Sequence, residues 1–301
     1  MPAAIASVVA SLVASLVASV FTSVGSTTIA ADPPGDAPAT AAPVILPAVP
    51  PEVTPEPAPS AAPSQTAQER VDAFLDEIER TGARFESLAG DIAVETVDTF
   101  ADSQEFRSGR VVVEGKGSAR RIALVVDRIT IDGRTTKAID HYLFADGWYS
   151  RLDHRNRSFT RRRLAAEGAE PDALESVGDQ FPLPIGVRKK DILARFEVSE
   201  AELPADVPLL ATLAGVTGLR LVPRAETAAA DKTAAIEVFY DRATIVPVGV
   251  VVRSKVAKPE WAKWTAARVA KPAANEPLSD ADRALLVVPT KAPEGWAIVD
   301  E

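Results

Sequence analysis

The segment GRVVVEGKGSARRIALVVDRITIDGR, residues 109–134, decides the fold class of this chain. It contains two apolar runs in which side chains that would share one face recur at every second position, as in a β-strand with one buried face. Between the runs, Gly115-Lys116-Gly117 provides a tight turn. The segment therefore predicts two antiparallel strands, whose common face carries Val111 and Val113 in the first and Ile122, Leu124 and Val126 in the second.

The same pattern continues on both sides of this segment, from Ile92 to Arg163. Turn signals recur about every ten residues, and they predict an antiparallel meander of at least five strands. These signals are Gly109, Gly115–Gly117, Asp132-Gly133, Asp146-Gly147 and His154–Asn156. Further strands are predicted at Gly218–Arg224, Ala235–Asp241, Thr244–Ser254, Trp261–Val269 and Ala284–Val288.

Helical periodicity is confined to short stretches around these strands. Ala67–Arg80 has apolar residues at three- and four-residue spacing, and Gly82 is expected to end this helix. Pro171–Phe181 and Lys189–Phe196 are two further short helical stretches. The fold class is therefore mostly β (α+β), with eight or more antiparallel strands and helices inserted on one side.

The N-terminal part has a different composition. Residues 3–21 carry no charge, and small residues follow at Thr28–Ala31, so residues 1–31 are interpreted as a cleaved signal peptide or an uncleaved anchor. Residues 32–66 hold 11 prolines and no basic residue, which is typical of a semi-extended tether. We expect an exported, periplasmic protein whose folded domain is residues 67–301.

Composition disfavours several functions for that domain. From residue 67 onward, 38 acidic residues face 33 basic ones, so nucleic acid is not an expected partner. The chain has no cysteine, which removes disulfides, thiol catalysis and a lipidated cysteine. Its two histidines, in Asp140-His141 and Asp153-His154, lie in a predicted strand and a turn and do not form a preset ligand cluster. We therefore expect that the domain is not an enzyme and that it binds no metal or cofactor.

Six arginines lie within 13 residues around one predicted hairpin. Such a stretch is consistent with a solvated outer strand face, or with contact to anionic headgroups or an acidic partner. The six residues are Arg151, Arg155, Arg157, Arg161, Arg162 and Arg163.

Two motifs carry a family resemblance that spans about residues 68 to 255. The hairpin Phe144–Asp153, followed by Phe159-Thr160-Arg161-Arg162, resembles hairpins of LolA-like outer-membrane lipoprotein carriers and their sorting-protein relatives. Phe181–Gly186, followed by Lys189–Leu193 and Arg195-Phe196, resembles a block in a divergent branch of that group.

The resemblance implies an incomplete antiparallel β barrel with short helices lying across the open face as a lid. Typical carriers are shorter, lack a proline tether and pair an Arg-Pro motif with the lid. The nearest candidates for that lid arginine are Arg120 and Arg121, which are followed by Ile122 and not by proline.

The function implied by the resemblance is that of a periplasmic carrier or chaperone for the acyl chains of a lipoprotein or lipid. It is expected to act as a monomer, and a membrane protein is expected to be the donor or the acceptor of its lipid or lipoprotein. An alternative of another class is a membrane-tethered sensor or scaffold domain that binds a partner through its surface. The expected acyl-binding residues are Val111, Val113, Ile122, Leu124, Val126, Phe144 and Trp148 in the wall, and Phe181, Leu183, Ile185, Ile192 and Phe196 in the lid.

Overall fold

The computed structural model describes residues 66–163, 188–258, 261–287, 289 and 291–300. Its main feature is one twelve-stranded sheet with the strand order β12-β6-β5-β4-β3-β2-β1-β11-β10-β9-β8-β7. The two end strands of this order, β12 and β7, leave the sheet unclosed. The strands are β1 (Ser87–Asp98), β2 (Ser103–Glu114), β3 (Arg121–Ile131), β4 (Arg134–Ala145), β5 (Trp148–Asp153), β6 (Ser158–Arg163), β7 (Phe196–Ala201), β8 (Val216–Pro223), β9 (Thr233–Asp241), β10 (Pro247–Ser254), β11 (Lys263–Ala274) and β12 (Ala297–Asp300).

The predicted meander is confirmed as β1 to β6, in which each strand pairs antiparallel with the next. Two of its turns use an Asp-Gly pair with positive φ at both positions: 48° and 77° at Asp132-Gly133, and 54° and 73° at Asp146-Gly147. This is the two-residue hairpin geometry whose twist matches that of the flanking strands. The fold class predicted from the sequence, an incomplete and mostly antiparallel β barrel with helices, is therefore confirmed.

Gly109 does not form the predicted turn. It lies inside β2, where the pairing with β3 shifts register between Ser108 and Gly109 and leaves Asp127 without an opposite residue. A second shift follows between β3 and β4, at Val126 and Arg128. Such bulges bend and twist strands, and a glycine inside a strand often marks one.

Within the part of the chain that the structure describes, three helices accompany the sheet: α1 (Ala67–Arg84), α2 (Lys189–Arg195) and α3 (Asp280–Leu285). Thr66 and Glu69 form a capping box at the start of α1, and this helix runs two residues beyond the predicted end at Gly82. The prediction of a strand at Ala284–Val288 is wrong for its first residues, which lie in and just after α3. The Ser279 hydroxyl accepts a hydrogen bond from the Asp282 amide and so begins a helix there.

The sheet buries apolar side chains on both faces. We call the face that packs against α1 and α2 the helix-covered face. The opposite side, the back face, is covered near β2 to β6 by side chains of residues 278–286 and 292–296 and near β9 to β11 by the 3₁₀ turn Pro208–Leu210. The helix-covered face includes Val111, Val113, Ile122, Leu124, Val126, Tyr142, Phe144 and Tyr149, and the back face includes Val112, Ala123, Leu143, Leu152 and Phe159.

No helix within the described ranges combines the length and the apolar character needed to cross a membrane.

Candidate functional site

The structure brings most of the predicted wall together on the helix-covered face. The predicted residues of β2 and β3, together with Phe144 of β4, belong to one apolar cluster with Val71, Leu75 and Ile78 of α1. Ile192 of α2 is buried in the same cluster, and Phe196 packs against its margin. Phe181, Leu183 and Ile185, the other predicted lid residues, lie outside the described residues. Their acyl-binding role, like that of the wall, stays a prediction.

Trp148 does not belong to this cluster, and its neighbour Tyr149 does. The ring centroids of Tyr149 and Phe144 are 5.1 Å apart, across a directly opposed pair of β5 and β4. Because successive residues of a strand point to opposite faces, Trp148 must lie on the other side of the sheet. Its assignment to the wall is therefore corrected to Tyr149.

The helix-covered face is filled by side chains in this conformation. A residue that lines a cavity large enough for water would have part of its surface exposed to that cavity. The six predicted wall residues of β2, β3 and β4 have only 0% to 7% of their surface exposed. Part of the filling comes from α1, whose Phe74 ring contacts Tyr240 of β9 edge-on with centroids 5.5 Å apart. Among the described residues, α1 and α2 are the elements that cover this face.

Ion pairs at the margin connect the two helices to each other and to β7. The Lys189 ammonium lies 2.8 Å from carboxylate oxygens of both Asp72 and Asp76. These hydrogen bonds, first that to Asp72, raise the pKa of Lys189 above its ordinary value. Arg70 of α1 donates to Glu200 of β7 through Nε and Nη2, at 2.7 and 2.8 Å. Because such exposed pairs are screened by water and salt, they hold the helices weakly compared with apolar packing.

A polar cluster adjoins the apolar wall around Tyr142. The Arg151 guanidinium lies 3.0 Å from an Asp140 oxygen and 3.6 Å from an Asp153 oxygen, with its Cζ 5.4 Å from the centre of the Tyr142 ring. Burial is the main cause that raises the pKa of Tyr142, so the phenol stays neutral at physiological pH. The sequence does not indicate the cluster, because only the register of β4 and β5 places Arg151 opposite Tyr142 and Asp153 opposite Asp140.

The six arginines of the predicted basic stretch do not form one surface. Arg162 lies over Tyr149 on the helix-covered face, whereas Arg161 and Arg163 lie over Trp148 on the opposite side, with Cζ-to-centroid distances of 5.7, 4.1 and 5.7 Å respectively. Arg151 is engaged by carboxylates, while Arg155 and Arg157 are exposed in the β5–β6 turn. Contact of these arginines with headgroups or a partner stays a prediction.

The two candidates for a lid arginine lie in different environments. Arg120 is buried, and its Nε donates to the Gly115 carbonyl at 3.2 Å, within the turn between β2 and β3. Arg121 begins β3 and is exposed. Their predicted action on the lid is not tested by this arrangement.

Both histidines contact the segment that crosses the back face. His141 of β4 must donate from Nε2 to the Leu285 carbonyl, at 2.8 Å, because a carbonyl only accepts. The His154 ring meets Trp296 edge-on with centroids 4.9 Å apart. Arg110 of β2 adds a bidentate pair to Asp282, at 2.7 and 3.1 Å.

Within the described ranges, no group of three or more His, Cys, Asp or Glu residues is arranged to hold a metal ion.

We expect His141 to make the stability of the domain depend on pH. Burial, and to a smaller extent the nearby His154, lowers the pKa of His141 against the raising effect of its bond to Leu285. The unfolded chain, with a histidine pKa of ~6.5, then binds more protons than the folded one, so stability falls as the pH drops below about 6.5. Denaturation between pH 7.5 and 5 should show this loss, and His141→Gln should reduce it. Equal pH dependence in both proteins would contradict the assignment.

Comparisons with known proteins give structural likenesses only. No family model and no curated protein matches the chain. Among solved structures, an uncharacterized conserved protein from Thermus thermophilus is 11% identical with a TM-score of 0.40, over 77% of this chain and 99% of that one. An outer membrane lipoprotein-sorting protein domain from Vibrio parahaemolyticus is 12% identical with a TM-score of 0.30, over 73% and 99%. A LolA superfamily protein from Nitrosomonas europaea is 8% identical with a TM-score of 0.29, over 72% and 97%.

The solved structures that match this chain thus include members of the lipoprotein-sorting group that its motifs resemble. At TM-scores of 0.30 and 0.29, these likenesses carry no argument about the function of this chain.

Proposed function

We propose that this protein is a periplasmic carrier or chaperone that binds acyl chains of a lipoprotein or lipid on its helix-covered face. The observation that carries the proposal is an apolar face of an unclosed sheet that is covered by α1 and α2. Apolar side chains pack the helices against this face, and ion pairs at its margin join α1 to α2 and α1 to β7. In the proposed cycle α1 and α2 swing aside, and an acyl chain takes the place of the helix side chains. The role is one of binding and not of catalysis.

The energies of this exchange are similar in size. Covering a sixteen-carbon chain is worth on the order of 12 kcal/mol, at ~0.8 kcal/mol per methylene. Uncovering four apolar side chains of α1 would cost about 6–12 kcal/mol, at ~1.5–3 kcal/mol each. Three of them are buried and the fourth is partly buried: Val71, Leu75, Ile78 and Phe74. An acyl chain could therefore replace α1 without a large net change in free energy.

Locking the lid is the experiment that tests this proposal. The chain has no cysteine, so Asp76→Cys with Lys189→Cys provides a unique pair that a short bis-maleimide can join. We expect a fluorescent fatty acyl probe to bind the unmodified full chain at about one per chain, and the cross-linked protein at least about tenfold more weakly. Fluorescence titration measures both affinities.

A matched pair on the back face controls for chemical modification. Arg283 Nε and Glu114 Oε1 lie 3.5 Å apart there, so Glu114→Cys with Arg283→Cys and the same cross-link can be made on the face opposite α1. This control protein should bind the probe like the unmodified chain. Absence of binding to the unmodified chain, or full binding to the locked lid, would overturn the carrier proposal.

The packed state of the helix-covered face also supports the alternative function. A domain that works through its surface needs no cavity, and the wall residues expose only 0% to 7% of their surface here. In that case the protein would be a tethered sensor or scaffold, and the donor or acceptor membrane protein expected for a carrier would be its binding partner. An uncleaved anchor at residues 1–31 would favour this alternative, because a shuttle between membranes must diffuse freely.

A further inference from the structure

The last described strand is attached to the sheet in an unusual way. β12 pairs with β6 in parallel, with Ala297 opposite Ser158 and Asp300 opposite Arg161, whereas each of the other strand pairs described is antiparallel. It occupies the end of the sheet that β6 would otherwise form. An unpaired edge strand presents a row of amide and carbonyl groups to which another chain can add.

β12 is held by few interactions compared with the other strands. It has four residues, against six to twelve in each of the others, and its Ile298 side chain is 66% exposed. At the first residue of β12 the Ala297 amide donates to the Arg157 carbonyl at 2.9 Å, and immediately before the strand Trp296 contacts the His154 ring. The strand can therefore leave β6 while the preceding residues stay anchored.

The edge of β6 carries positive charge and aromatic surface. Arg161 and Arg163 lie over Trp148, and Arg157 belongs to the turn that precedes β6. The Arg161 Nε is buried and has no hydrogen-bond partner among the residues described. The segment that the chain places beside this strand has the sequence Ala-Ile-Val-Asp, with an acidic residue in register with Arg161.

We propose that the edge of β6 is a strand-addition site for an extended peptide segment of a partner protein, with apolar residues followed by acidic ones, and that residues 297–300 occupy this site as an internal substitute. Strand addition derives affinity from main-chain hydrogen bonds and specificity from side chains, here an acidic residue opposite Arg161. An anionic lipid could neutralise the arginines but could not continue the backbone ladder. The site lies at the sheet edge and is independent of acyl binding on the helix-covered face.

A peptide copy of the chain's own segment tests the proposal. The probe is a labelled peptide of residues 293–301, and its binding is followed by fluorescence anisotropy to the full chain and to a variant lacking residues 297–301. We expect the shortened variant to bind at least about tenfold more tightly, since its site is vacant. Adding Arg161→Ser to the shortened variant should weaken binding and flatten its salt dependence. A peptide with Asn and Gln at positions 300 and 301 should also bind more weakly.

A second variant and a measurement on the intact chain guard against misfolding of the shortened one. The Ala297 amide donates towards β6, so the amide of Val299, two residues further along β12, faces the same neighbour. Val299→Pro therefore removes a ladder donor from β12 in the full-length protein and should also increase peptide binding. In the unaltered chain, excess peptide should accelerate amide hydrogen exchange at residues 297–300 by displacing them. Equal peptide affinity for both forms, or no change in exchange, would overturn the proposal. The proposal would also be overturned if the shortened variant bound phosphatidylglycerol vesicles more tightly but did not bind the peptide more tightly. That result would make the edge of β6 a lipid contact.

Discussion

Gly109→Ala is expected to destabilise the domain by about 3 kcal/mol or more, because the site cannot accept one added methyl group without backbone movement. A Cβ atom at Gly109 would lie 1.8 Å from the carbonyl oxygen of Val125 and 2.9 Å from the Cα of Val126. Both atoms belong to the backbone of β3, at the bulge that bends the sheet. Relief of this contact requires β2 and β3 to separate locally, with loss of ladder hydrogen bonds.

Gly133→Ala is the matched control for this substitution. Gly133 lies in the turn between β3 and β4, has a φ of 77°, and has no atom within 4 Å of an added Cβ. The left-handed backbone alone should cost about 1–2 kcal/mol. Urea denaturation compares the two variants, and equal losses of unfolding free energy would contradict the close approach of β2 to β3.

Leu124→Glu is expected to cost about 3–5 kcal/mol of stability, since it replaces a core side chain and buries a carboxyl group without a partner. Leu124 is 7% exposed in the middle of β3, on the helix-covered face. Burial of this new carboxyl should also raise its pKa, so part of the lost stability should return at acid pH, where the carboxyl is neutral.

The same residue type at an exposed position of β3 provides the control. Arg128 is exposed, and Arg128→Glu should change the unfolding free energy by no more than about 0.5 kcal/mol. Chemical denaturation of both variants measures the difference. A Leu124→Glu protein with unaltered stability would show that this face has room for a charged side chain and is not packed as described here.

The parts of the fold that could be predicted from sequence depend on local rules. Asp132-Gly133 and Asp146-Gly147 can adopt positive φ readily, so they locate two hairpins and, with the period-two pattern, the strands between them. Gly109 is ambiguous in the sequence because a glycine indicates either a turn or a close approach, and only the position of Val125 on the neighbouring strand distinguishes them. The apolar residues after Ala284 favour a strand, whereas the structure begins the helix α3 at the Ser279 N-cap.

The candidate site was predictable where alternation decides the face, and not where contacts link distant parts of the chain. Val111, Val113, Ile122, Leu124, Val126 and Phe144 share a face as predicted. Trp148 does not share this face, because alternation from Phe144 across the turn selects Tyr149. The contact of His141 with Leu285 joins residues 144 positions apart, and no sequence pattern indicates it.

The most direct test of the central claim, that the helix-covered face carries acyl chains, is native mass spectrometry of the full-length protein gently extracted from the exporting host. We expect about one acyl-bearing lipid or lipoprotein fragment per chain. The Asp76→Cys, Lys189→Cys protein is then delipidated, cross-linked and offered the same lipid extract, and we expect it to rebind no lipid. A chain that carries no lipid from the host, and takes up none from the extract while its lid is free, would contradict the claim.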